Sequence, residues 1–152
     1  MPTGRGLGIA GHYSFVSYVA VAAEVEVGQG GRLAIPRVDI AIDCGPIVNQ
    51  DRVRSQMEGA VIMGAGLATS AEISFKNGRA EQHNFDAYEL TRMDSAPREI
   101  RVHLLPSADY AGPLGGVGEP GLPPVAPAIA NAVFAATGNR IRQLPIRDQL
   151  NT

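Results

Sequence analysis

Glu119 is the residue of this chain whose setting points most directly to chemistry. It stands in Gly115-Gly116-Val117-Gly118-Glu119-Pro120-Gly121-Leu122-Pro123-Pro124, a glycine-rich turn followed by a helical run from Val125 to about Thr137. Prolines favour a helix start, and the positive end of the helix favours a nearby carboxylate. A carboxylate confined in a glycine-rich loop between apolar segments can have its proton affinity retuned by burial and neighbours, which suits a general base. A solvated loop glutamate, or a charge complement to the helix end, uses the same residues. Residue types leave both readings open.

Other candidates are weaker. Gln56 lies mid-helix among Arg52, Arg54 and Glu58 and could hydrogen-bond a ligand if that helix face meets a pocket, or simply be solvated. His12, His83 and His103 lack the H-x-x-x-H or H-E-x-x-H spacing of a histidine metal site, so no metal-ligating set is assigned. Ser14, Ser17 and Ser55 have no surrounding G-x-S-x-G, and Cys44, beside Gly45 and Pro46, reads as a packed small residue rather than a nucleophile. No catalytic triad can be assembled. The glycines at 4, 6, 8 and 11 around Arg5 neither follow a strand nor open a helix, so a phosphate cradle is not indicated.

Composition bounds the function. With 152 residues, 45% of them hydrophobic, one core-forming domain is expected. A net charge of -2, with 13 Lys and Arg against 15 Asp and Glu and no basic run, argues against nucleic acid or an anionic membrane as the main partner. A small molecule or another protein is expected instead. The single cysteine excludes an internal disulfide and a cysteine-based zinc cluster. There is no long apolar N-terminal region and no run of eighteen apolar residues, so neither a signal peptide nor a membrane span is expected. The compartment is left unassigned.

The elements that must position Glu119 follow from periodicity. Residues 1–12 read as an irregular lead-in arm, 13–147 as a single α+β domain, and 148–152 as a polar tail. Alternation of Val19, Val21, Ala23, Val25 and Val27 with Tyr18, Ala20, Ala22, Glu24 and Glu26 predicts a strand over 13–27, the longest in the chain. After the turn Gly28 to Gly31 a second strand is predicted over 33–43, with Pro36 marking an edge or a bulge. Asn49 or Asp51 can cap a helix over about 50–70, buried through Val53, Met57, Ala60, Val61, Gly64 and Leu67. Gly59, Gly64 and Gly66 each cost that helix about 1 kcal/mol relative to alanine, which implies another backbone close by. A hairpin over 72–82 turns at Asn77-Gly78, and alternation of Ile100, Val102 and Leu104 predicts a strand over 98–105. A final helix over 122–137 buries Val125, Ile129, Ala132, Val133 and Ala136 and stops at Gly138. The fold class is α+β: a mainly antiparallel sheet of these four strand regions with two principal helices packed on it.

Four stretches carry a family resemblance. They are Ser17-Tyr18-Val19-Ala20-Val21-Ala22-Ala23-Glu24-Val25-Glu26-Val27; Val38-Asp39-Ile40-Ala41-Ile42-Asp43-Cys44-Gly45 with Val48-Asn49; Gln56-Met57-Glu58-Gly59-Ala60 with Gly64-Ala65-Gly66-Leu67; and Gly116-Val117-Gly118-Glu119-Pro120 with Ala128-Ile129-Ala130-Asn131-Ala132. In order and spacing they resemble the C-terminal part of the molybdenum-binding subunit of the xanthine dehydrogenase and aldehyde oxidoreductase family. Arg5-Gly6-Leu7-Gly8-Ile9-Ala10 and Ala96-Pro97-Arg98-Glu99-Ile100 are most similar to its isoquinoline oxidoreductase beta-subunit branch.

The resemblance implies a molybdenum hydroxylase that oxidises an N-heterocycle or an aldehyde. In such enzymes a metal-bound hydroxide attacks the substrate carbon, hydride passes to the metal centre, and the glutamate at the position of Glu119 takes the proton. Gln56 is implied as a polar contact to the cofactor, and the backbone of Gly116, Val117 and Gly118 as lining of the metal pocket. The implied cofactor is a molybdopterin-type molybdenum cofactor, of the cytosine dinucleotide form, in the complete enzyme. Family members carry a much longer chain before this region. The implied partners are therefore that N-terminal part of the molybdenum subunit and an iron-sulfur subunit, and the isolated chain is expected to bind no molybdenum and turn over no substrate. Self-association through an uncovered apolar face is also expected. A noncatalytic assembly or binding module that kept the fold is the alternative.

Overall fold

The computed structural model describes residues 4–105, 107 and 109–150. Expectations that fall on residues 1–3, 106, 108, 151 and 152 lie outside the described residues. The elements in chain order are β1 (Arg5–Ser14), β2 (Ser17–Val27), β3 (Leu33–Asp43), α1 (Gln50–Thr69), β4 (Phe75–Lys76), β5 (Arg79–Ala80), β6 (Glu99–Leu104) and α2 (Val125–Thr137), with short 3-10 turns at Gln29–Gly31 and Arg147–Leu150.

Four strands form one sheet in the order β1-β2-β3-β6. The first two pairings are antiparallel and β3 pairs with β6 in parallel, as a strand returning through a helical crossover must. The sheet is therefore mainly antiparallel, and the α+β class holds. Both helices pack on one face: α2 crosses β1 and β2, and α1 lies beside α2 and over β6 and β3. Between the layers sit Val21, Val25, Val38, Ile40 and Ile42 from the sheet with Met57, Val61, Ile129 and Val133 from the helices, all fully buried. The register shift between Glu24 and Glu26 falls opposite Ile35 and Pro36, where the proline can donate no ladder hydrogen bond.

Local signals set the element ends. Asn49 caps α1 by accepting a hydrogen bond from the Arg52 amide at 3.0 Å, which stabilises the helix start by about 1 kcal/mol. Gly138 closes α2 in the left-handed region at φ 76°, and its amide donates to the Phe134 carbonyl at 2.8 Å. Asn77 and Gly78, at φ 52° and 76°, turn the β4–β5 hairpin.

Four expectations need correction. Residues 5–12 are no irregular arm: they form most of β1, an edge strand. A β-carbon on Gly6 or Gly8 would overlap backbone atoms of Ala132 and Ala128, so the glycines exist to let α2 lie directly on the strand. The predicted strand over 13–27 is accordingly two, turning at Phe15-Val16, and β2 and β3 share the greatest length of 11 residues. The hairpin within 72–82 forms its own two-stranded sheet and adds nothing to the main one. The region 148–150 is likewise more than a tail. Leu150 is buried, the Ile146 amide donates to the Ala68 carbonyl at 2.8 Å, and Arg147 pairs with Glu72 at 2.7 Å, which closes the C-terminal segment on the end of α1.

Candidate active site

The glycine loop is held at two places. Upstream, the Gly115 amide donates to the Cys44 carbonyl at 2.9 Å, the Gly116 amide donates to the Phe15 carbonyl at 2.7 Å, and the Ser17 hydroxyl donates to the Gly116 carbonyl at 2.7 Å. The loop thus seats on the β1–β2 turn and the end of β3. Downstream, Pro120 and Gly121 are buried, and a β-carbon on Gly121 would come within 2.9 Å of the Ala60 methyl and 3.0 Å of the Met57 sulfur. The loop there rests on the middle of α1. Val117, Gly118 and Glu119 span the two anchors.

The upstream seat is itself costly. Phe15 and Val16 occupy the two central positions of a two-residue hairpin with φ 50° and 64°. Such turns ordinarily take Asn-Gly, and a bulky or β-branched residue held there costs about 1–3 kcal/mol. The sequence accepts that cost where the turn carbonyl and the Phe15 side chain meet Gly116; a β-carbon on Gly116 would lie 2.8 Å from Phe15 Cβ.

Glu119 is exposed, and so is Gln56, which directly precedes Met57 and lies one turn before Ala60, the two residues that contact Gly121. A β-carbon on Gly118 would lie 3.7 Å from Gln56 Nε2, so the Gln56 carboxamide and the residue preceding Glu119 share one open surface. The fold therefore brings Gln56, Gly116, Val117, Gly118 and Glu119 into one region, although 60 or more positions separate the helix residue from the loop. Among the described residues no hydrogen bond reaches the amides of Val117, Gly118 and Glu119. Free backbone donors, a neutral carboxamide and a bare glycine suit one rim of an anionic, polar cofactor, so the residues present fit a pterin group on this side. Glu119 itself lies outside the core.

The remaining candidates separate from this region. Cys44 is buried at the end of β3, and burial, with the charge of Asp43, pushes its thiol up, so it stays a protonated core residue. Among the described residues no three His, Cys, Asp or Glu side chains could hold a metal ion together. His103 pairs instead with Asp39 at 3.0 Å on the far side of the sheet. Ser17, weighed in the sequence only as a nucleophile, is the residue missed. The spacing of two residues between Ser14 and Ser17 could have signalled a hairpin, but Phe-Val carries no turn chemistry.

Comparisons with known proteins bear on the family and the fold. A family model described as the molybdopterin cofactor-binding domain matches residues 5–97. The beta subunit of isoquinoline 1-oxidoreductase from Brevundimonas diminuta is 35% identical over 148 residues, covering 97% of this chain but 18% of that protein. Aldehyde oxidoreductase from Desulfovibrio gigas superposes with a TM-score of 0.76 at 27% identity, over 88% of this chain and 15% of that one. Quinoline 2-oxidoreductase from Pseudomonas putida 86 superposes with a TM-score of 0.78 at 21% identity, over 88% of this chain and 18% of that one, which speaks for the fold. The chain spans less than a fifth of the length of these proteins. It belongs to the molybdopterin cofactor-binding family, among the molybdenum-binding subunits related to xanthine dehydrogenases and aldehyde oxidoreductases.

Proposed function

We propose that this chain supplies the base-bearing wall of a molybdenum hydroxylase that oxidises an N-heterocycle or an aldehyde. The observation that carries the reading is the exposed Glu119 on a span held at both ends, beside the Gln56 carboxamide, in a chain of this family.

The overall conversion adds the oxygen of water to a substrate carbon and releases two electrons and two protons. The cofactor, when bound, supplies the redox chemistry that takes up those electrons. Glu119 receives, at a carboxylate oxygen, the proton lost as the new carbon–oxygen bond forms, and later returns it to solvent. Gln56 Nε2 and the free amides of Val117 to Glu119 would donate hydrogen bonds to polar atoms of the cofactor. Covering the loop with a further region of protein removes water from around Glu119. The cytosine dinucleotide form belongs to the same proposal, and release of CMP from the loaded enzyme on acid hydrolysis would identify it.

The covering region is the part of the subunit that relatives carry beyond this chain's span, working with an iron-sulfur subunit. Its docking surface is the outer face of the sheet, where Ile9, Tyr13, Tyr18 and Leu105 are exposed and the Tyr13 and Tyr18 rings meet, tilted, with centroids 4.5 Å apart. By itself the chain is proposed to hold no molybdenum and to turn over no substrate.

The test combines this chain with that region, cofactor and a dye acceptor. Oxidation of a heterocycle or aldehyde is expected, with loss of about two to four orders of magnitude in kcat for Glu119→Gln. A tight, metal-loaded complex without activity would favour the noncatalytic assembly module.

A further inference from the structure

We infer that Ser17 is a positioning residue for the span that carries Glu119. It is the polar side chain that the described core buries completely, and its hydroxyl donates to the Gly116 carbonyl, 99 positions along the chain. Most buried hydroxyls of a β-strand satisfy themselves within their own neighbourhood. This one is satisfied by the loop three residues before Glu119.

The contact discriminates between loop positions instead of adding general cohesion. If Gly115 and Gly116 leave the turn, the Ser17 hydroxyl is stranded in a dry interior, which penalises every displaced arrangement of the loop. The approach is also closed sterically. A β-carbon on Gly115 would overlap Ser17 Oγ and come within 3.0 Å of the Val16 carbonyl oxygen, and Phe15 Cβ bounds Gly116 on the other side. The left-handed Phe15-Val16 turn brings the Phe15 carbonyl and the Ser17 hydroxyl to the same glycine pair, one as acceptor and one as donor. With Pro120 and Gly121 packed on Met57 and Ala60, the span Val117 to Glu119 has its ends set by Ser17 on one side and α1 on the other. Release of the Ser17 end shifts the carboxylate with no change in the carboxylate itself. This last step rests on the proposed role of Glu119; the anchoring of the loop does not.

Hydrogen exchange on this chain, read by NMR, tests the anchor directly. In Ser17→Ala the amides of Gly115 and Gly116 are expected to exchange at least roughly tenfold faster, while those of Val61 in α1 and Val133 in α2 keep their rates. Should Ser17→Ala not fold, Ser17→Cys, which keeps the volume and a weak donor, serves for the same comparison. Unchanged exchange at the two glycines, or a rise spread equally over the helices, overturns the inference. In the recombined enzyme Ser17→Ala is expected to lower kcat about tenfold to a hundredfold with KM within twofold. Full activity in Ser17→Ala with loss in Glu119→Gln removes the positioning role and leaves the base. Full activity in Glu119→Gln removes the base, and accelerated exchange confined to Gly115 and Gly116 would then still establish the anchor.

Discussion

Exchanging Gln56 for alanine removes a carboxamide from an exposed helix position whose backbone is held by Met57 and Ala60 on the buried side. The fold has no need of that side chain, so Gln56→Ala should melt within a few degrees of the parent and lose cofactor instead, read as a lower molybdenum content of the recombined enzyme. Asp39 is the residue whose titration bears on stability. Burial raises its carboxyl, but hydrogen bonds from His103 and Arg37, with the charges of both, outweigh burial and hold its pKa below the usual value. A depressed folded-state pKa adds stability that is present above the unfolded value near 3.9 and is lost as pH falls through the folded value. Asp39→Asn should therefore be less stable than the parent at pH 7, and denaturant melts should show the difference shrinking as pH drops below about 4.

Strand β1 and helix α2 meet through bare glycines, and this is where an element-scale change costs most. In Gly8→Ala the new methyl would overlap the Ala128 carbonyl and the Ala132 amide, backbone atoms that cannot turn aside. A loss of about 3 kcal/mol is expected, read as a fall of roughly 6–12 °C in Tm. Gly59 makes the opposite case. Nothing lies within 4 Å of a β-carbon there, and the residue sits inside α1. Gly59→Ala should raise stability by about 0.5–1 kcal/mol, or a few degrees in Tm. Gly64 and Gly66 lie between these cases, since their β-carbons would come within 2.6 Å of Val125 Cβ and Thr91 Oγ1, which are side-chain atoms. The expectation that another backbone lies close to these glycines is therefore corrected: at Gly64 and Gly66 the close neighbours are side chains, and at Gly59 there is none.

At the scale of the whole molecule the sheet has one face covered by helices and one open. The open face divides: Arg5, Glu24 and Glu26, Arg37 and Asp39, and Glu99 and Arg101 pair with one another at one end, while Tyr13, Tyr18 and Leu105 leave the other end apolar beside the turn that seats the glycine loop. Under the proposed docking, the double change Tyr13→Lys and Tyr18→Lys should weaken binding of the remaining subunit region at least about tenfold without lowering Tm by more than a few degrees, because both side chains are already exposed. Sedimentation of the isolated chain should show concentration-dependent self-association that the same change suppresses.

What was legible in the sequence was what neighbouring residues decide among themselves. Alternation placed β2, β3 and β6, Asn49 and Gly138 marked helix ends, and Asn77-Gly78 marked a turn, because each signal acts within a few positions along the backbone. Four stretches of the sequence, two of them around Gln56 and Glu119, also resemble the family to which the chain belongs. Tertiary structure decided the rest. Gly6 and Gly8 give a strand no alternation to read, and only the backbone of α2, far along the chain, explains them. The parallel pairing of β3 with β6, the separate β4–β5 sheet, the seat of the glycine loop on a strained turn and its tie to Ser17 likewise depend on groups that meet only when the chain has folded. The exposure of Glu119 belongs with them, since a local pattern can show a carboxylate between apolar segments but not whether another surface comes to cover it.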